Sequence, residues 1–250
     1  MQNKIMFFVI FLSFLIPVML MKAEDKLSGK TEVTRRVGSL IKVKPEYEER
    51  YIILHKNTFP GVLDRIRKSN IRNYSIFLLD GILFSHYEYV GQDYDADMKA
   101  VADPVTKDWW KLTDPMQEPL ETRKEGEWWA EMELILLVPI TLKPSSEAQR
   151  IGLTAEILQG KADELKKLCG QFSKDIEDAT YNQKFQNAHM YIKDTRLYYY
   201  YEYTGDDIAK SFNELSKNPA FIQFQKEMNN LLVQKKNGYW EVMSEVFHTD

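Results

Sequence analysis

The side chains best suited to chemistry in this chain lie in one short run, Tyr51-Ile52-Ile53-Leu54-His55, where a phenol and an imidazole stand four residues apart. On a helix that spacing puts both on one face. An imidazole titrating near neutrality can take a proton and return it, and a phenol can hydrogen-bond a polar ligand. Tyr74 offers a further hydroxyl, and Trp109-Trp110 offers two indole faces for an apolar surface. Each feature is weak alone. A lone helical histidine is more often solvated or satisfied than functional, and a tryptophan pair is more often core.

Composition narrows the classes. The chain has 250 residues, enough for one large domain or two of about 100 residues. Its 44% apolar and 28% charged content is that of a globular protein. A net charge of −4 gives no general attraction to nucleic acid or anionic lipid. The single cysteine, Cys169, rules out an internal disulfide and a thiolate-clustered zinc site. The four histidines, His55, His86, His189 and His248, show no HxxxH or HExxH spacing, so a metal enzyme is not expected. Aromatic residues, at 13%, are common enough to supply a sugar platform as well as a core.

The N-terminus reads as an address. Lys4 precedes an apolar run from Ile5 to Met21, and charge returns at Lys22-Ala23-Glu24-Asp25. This is the pattern of a secretory signal peptide over residues 1–23, with an uncleaved anchor as the alternative. Residues 24–37 are expected to form a flexible leader. The mature protein is then expected to be exported, periplasmic or secreted, without stable membrane insertion.

A pattern occurs twice. Asn73 to Asp80 and Leu83 to Gly91 (LFSHYEYVG) match Asn187 to Asp194 and Leu197 to Gly205 (LYYYYEYTG) at a constant offset of 114. GEWWAEMELI from Gly126 resembles GYWEVMSEVF from Gly238. This reads as a duplication with copies at 38–140 and 147–250. Within a copy, Ser39–Val43 is expected as a strand, and Pro45–Ser69 as helix divided at Pro60. Two strands follow around the Asp80-Gly81 turn, then short helices over 93–102 and 104–112, then a last strand over 131–139. The order β-α-β-β-α-β is ferredoxin-like. Helices cover one face of such a sheet, and packing two sheets together buries the other. The expected class is α+β: two tandem ferredoxin-like units forming an intrachain dimeric α+β barrel, a monomer with an internal pseudo-dimer.

These motifs resemble the L-rhamnose mutarotase family. The resemblance rests on Tyr51-to-His55, His55-Lys56-Asn57-Thr58-Phe59-Pro60, Asn73-Tyr74-Ser75-Ile76-Phe77, Trp109-Trp110, Thr113-Asp114-Pro115-Met116 and the closing strands, Met132-Glu133-Leu134-Ile135 and Ser244-Glu245-Val246-Phe247. It spans residues 39–139. It implies a dimeric α+β barrel that interconverts the α and β anomers of L-rhamnose or a related 6-deoxy hexose. His55 would be the general acid, and Tyr51, Tyr74, Trp109 and Trp110 would bind the sugar, with no cofactor. The partner base is open: Glu88 and His86, two residues apart on one strand face, are candidates. Glu202 matches Glu88 in the second copy, so a structural hydrogen bond is an equal reading.

The second copy departs at every site position. Leu165 stands opposite Tyr51, Cys169 opposite His55, Ala188 opposite Tyr74, and Phe224-Gln225 opposite the tryptophan pair. It is expected to be a structural half that completes the barrel and lends a pocket wall. The competing functions are a non-catalytic carbohydrate-binding protein and, on fold alone, a monooxygenase of related barrel type.

Overall fold

A computed structural model describes residue 33, residues 35–138 and residues 142–250. The signal-peptide reading of residues 1–23 lies outside the described residues. So does the leader reading, apart from Val33 and Arg35–Val37. Arg35–Val37 are not leader: they begin β1 (Arg35–Val43), which pairs along its length with β3, from Arg35 opposite Tyr89 to Lys42 opposite Ile82. Arg35 is held there by Glu131 at 2.7 Å and by the ring of Tyr94, 4.1 Å below its guanidinium.

The first half then runs α1 (Glu48–Lys56), α2 (Pro60–Lys68), β2 (Ile71–Leu79), β3 (Ile82–Tyr89), α3 (Tyr94–Val101) and α4 (Pro104–Thr113). Three short strands follow: β4 (Gln117–Glu118), β5 (Ala130–Glu131) and β6 (Glu133–Val138). The second half repeats the order with β7 (Gln149–Glu156), α5 (Ala162–Cys169), α6 (Lys174–Asn182), β8 (Phe185–Lys193), β9 (Arg196–Tyr203), α7 (Ile208–Leu215), α8 (Pro219–Asn229) and β10 (Trp240–Thr249). Thr34–Asp250 form one compact unit. Among the described residues, no helix is long and apolar enough to cross a membrane.

Local chemistry explains the elements. Pro60 divides the predicted helix by starting α2 at its first position, where a missing N–H costs nothing. Asp80 and Gly81 both take positive φ, 49° and 72°, the conformation a two-residue hairpin needs. Asp93 and Asp103 cap α3 and α4 by accepting from the N–H groups of Ala96 and Thr106; Asp207 and Asn218 do the same for α7 and α8. Asn73 and Asn187, at φ 47° and 50°, sit where β2 and β8 slip register against β3 and β9.

The closing strands change partners midway. β10 pairs β7 through Trp240–Met243 and β2 through Ser244–Thr249. β5 pairs β1, and β6, one residue further on, pairs β8. Met132 bridges them, its N–H donating to the carbonyl of Gly38 at 2.9 Å. The sheet order β4-β1-β3-β2-β10-β7-β9-β8-β6 therefore curls back on itself, because β5, one residue before β6, pairs β1.

Alternation along the strands makes three cores. Leu40, Phe77, Phe84, Met132, Tyr191, Tyr198, Tyr200 and Met243 fill the barrel interior. Residues of opposite parity, such as Ile41 and Leu83, pack under the first-half helices with Val62 and Ile66. Leu165, Leu168, Leu197 and Leu215 do so in the second half. Inside the barrel, two glycines 114 apart admit an aromatic ring from the other half. A Cβ on Gly38 would lie 2.7 Å from the Tyr191 ring, and one on Gly152 would lie 2.5 Å from that of Phe77.

Gly152→Ala is therefore expected to destabilise the protein by about 1–3 kcal/mol through overpacking, measured by denaturant unfolding. Combining it with Phe77→Leu should cost clearly less than the sum of the two single changes. Strict additivity would show that the glycine–ring contact does not set the sheet spacing.

Candidate active site

The site lies between the helix-facing side of the first sheet and α1, α2 and α4, not inside the barrel. Tyr51 and His55 are the two buried residues of α1. Their rings stack with centroids 3.8 Å apart. Trp109 meets the His55 edge at 5.3 Å, with Phe59 beyond it at 5.2 Å. Tyr74 stands on β2, 5.5 Å from Tyr87 on β3. These groups line one cavity of about 530 Å³ together with Trp110, within the range of small-molecule pockets. All five expected residues, Tyr51, His55, Tyr74, Trp109 and Trp110, are thus brought together.

The electrostatics are those of a dry site. The Nδ1 of His55 lies 2.9 Å from the carbonyl of Tyr51. A carbonyl only accepts, so Nδ1 carries the proton and Nε2 is left with its lone pair. Burial, opposed by that hydrogen bond, lowers the His55 pKa to about 4. Burial raises the Tyr74 hydroxyl to about 12 and lifts Tyr51 well above its ordinary value. Both phenols are therefore neutral donors at neutral pH. Gln117 links two sides of the pocket: its amide lies 3.4 Å from the Tyr51 hydroxyl, while its carbonyl accepts from Trp128 Nε1 at 3.1 Å.

Neither Glu88 nor His86 lines this cavity. On β3 it is Ser85 and Tyr87 that face it. His86 and Glu88 have the other parity and point into the barrel, so the pocket geometry does not support either as the base partner. The carboxyl that does line the cavity is Asp114, raised above its ordinary pKa by burial.

A family model for L-rhamnose mutarotase matches residues 36–136. Over those residues the chain is similar to that family. No curated protein matches the chain. Among solved structures, the putative monooxygenase of Lactobacillus acidophilus NCFM is similar with a TM-score of 0.52 at 8% identity, covering 87% of this chain and 96% of that one. Its counterpart from Fusobacterium nucleatum subsp. nucleatum gives 0.51 at 13% identity, covering 86% and 93%. At such identities the likeness shows the shared fold and nothing of chemistry.

The pocket has members that the sequence motifs do not announce. Tyr87, Gln117, Trp128 and Trp129 line it from the first half, and Phe247 enters from β10 of the second. Phe247 lies 5.3 Å from Tyr74 and 5.9 Å from His55. Strand parity with Ser85 could have flagged Tyr87. Phe247 could be found only by knowing that β10 crosses to β2.

The corresponding place in the second half is closed to this chemistry. Leu165 and Cys169 are buried, and burial raises the Cys169 thiol to about 12. Cys169 should resist thiol reagents in the native protein and react at once in denaturant. Fast native labelling would contradict its burial. His55 should stay neutral to about pH 5 and titrate near 4 by NMR of its ring; a value near 6.5 would mean that water reaches it.

Proposed function

We propose that the protein is a mutarotase that interconverts the anomers of L-rhamnose or a related 6-deoxy hexose. The observation that carries this is the stacked Tyr51–His55 pair, buried against Trp109 in a cavity of about 530 Å³. The indoles provide the surface for the sugar's apolar face and methyl group. Tyr51, Tyr74 and Gln117 provide hydrogen bonds for its hydroxyls. The family match over residues 36–136 supports the same reading.

The chemistry needs two proton transfers. Ring opening removes the proton of the anomeric hydroxyl and delivers one to the ring oxygen as the C1–O5 bond breaks. The O–H electron pair becomes the carbonyl π bond, and the C1–O5 pair stays on oxygen. Neutral His55 takes the first proton at Nε2, and the imidazolium returns it when the ring closes on the other face of the aldehyde. Its general-acid role is thus the second half of a cycle that begins with it as base. Asp114, whose pKa burial raises above its ordinary value, is the proposed donor to the ring oxygen. Nothing is consumed, and no cofactor is required. The apolar N-terminal run places the reaction outside the cytoplasm in this proposal, on sugars freed there.

Exchange NMR of L-rhamnose anomers tests the reading. The wild type should speed exchange, and His55→Ala should lower the rate by about 10²–10⁴-fold while sugar still binds. Asp114→Asn should cost about 10²-fold. On the acid side, the rate should fall as His55 protonates near 4. Saturable sugar binding without acceleration would make the protein a carbohydrate binder instead.

A further inference from the structure

The barrel interior holds polar groups that the proposed reaction does not use. His86 and Glu88 project inward from β3, and His189 from β8. One donor atom from each lies within 4.8 Å of the other two. Both histidines are fully buried. Their rings stack with centroids 4.7 Å apart. His86 Nδ1 is engaged with the Tyr191 hydroxyl at 2.9 Å, but its Nε2 and both nitrogens of His189 have no hydrogen-bond partner. A buried polar atom without a hydrogen-bond partner is costly, and three of them lie within one cluster.

The offset of 114 supplies an internal comparison. Ser75, Tyr200 and Glu202 occupy the positions matching His189, His86 and Glu88. There the polar atoms are satisfied. The Tyr200 hydroxyl donates to Glu202 at 2.6 Å, which also accepts from Asn73 at 2.7 Å and Asn187 at 2.9 Å. Ser75 pairs with His248 Nδ1 at 2.9 Å. The same fold therefore can close this cluster with hydrogen bonds; on the His86 side Glu88 is engaged by Asn187 and Asn73, but the three imidazole nitrogens are left without partners.

We propose that His86, His189 and Glu88 form a binding site for a divalent transition ion of the zinc class. Two neutral imidazoles and one carboxylate are a donor set suited to such an ion and leave a coordination position for water. Burial keeps both rings deprotonated, the form that binds metal. Donors about 2.1 Å from one ion stand about 3.4 Å apart in a tetrahedron, so the cluster must close by about an ångström. Closing it requires one imidazole to turn out of a stack that also includes the Tyr200 ring, 4.1 Å from that of His86. Glu88 also lines a cavity of about 300 Å³ with Asn73, Asn187 and Glu202. Arg36, 4.0 Å from Glu88, opposes the charge and keeps affinity moderate. The ion would tie β3 of one half to β8 of the other.

The test uses the metal-stripped, untagged chain. Calorimetric titration with Zn(II) should show one equivalent bound, and Co(II) should give the visible bands of a four- or five-coordinate site. With only four histidines, ring NMR of the wild type should show His86 and His189 shifting together while His55 stays in place. His189→Gln and Glu88→Gln should each abolish binding, and His248→Gln should keep it. If a variant fails to fold, the wild-type ring shifts decide. No stoichiometric binding, shifts confined to His248, or retention of binding in folded His189→Gln would overturn the proposal.

Discussion

The structure depends on the need to bury the second face of each sheet. Helices cover one face and leave the other as a band of aromatic and aliphatic side chains that water would penalise. Facing the two bands solves this, and close approach is possible because Gly38 and Gly152 offer no side chain to Tyr191 and Phe77. The partner exchange of β5–β6 and β10 follows, since a strand that begins in one sheet and ends in the other fixes the two as one body.

That arrangement divides the chemistry by strand parity. A side chain on β3 faces either the helices or the barrel. Ser85 and Tyr87 join the pocket, while His86 and Glu88 join the interior, although the four are consecutive in the chain. The pocket lies under α1, α2 and α4, and burial there lowers the pKa of His55 and raises those of Tyr51 and Tyr74. A barrel interior filled by Phe77, Phe84 and three tyrosines leaves no comparable room for a sugar.

Much of this was legible from local signals. Asp80-Gly81, Pro60 and the caps at Asp93 and Asp103 each act through their own backbone, so spacing alone locates their elements. The Tyr51–His55 pair was legible because a helix imposes its own periodicity. The start of β1 was not: Arg35 and Arg36 look like leader, and only the partners Glu131, Tyr94 and Glu88 make them strand. Glu88 and His86 misled as base candidates because alternation gives two faces without saying which one meets the helices. Phe247 and Trp128 reach the pocket through long-range pairing and a loop, which no periodicity encodes.

The second half shows what the fold requires once catalysis is set aside. It keeps the turns, the caps, the bulge asparagine and the barrel-facing aromatic positions, and replaces the polar site residues by Leu165, Cys169 and Ala188. Those replacements are what a helix–sheet interface without a ligand favours, since a buried imidazole or phenol needs a partner that leucine does not. Its remaining contribution to the pocket comes through β10, whose Phe247 packs between Tyr74 and His55. A first half separated from the second would lose both the wall of its site and the cover of its inner sheet face. The site is therefore built by the whole barrel, although every polar group that acts on the substrate in the proposed reaction comes from the first half.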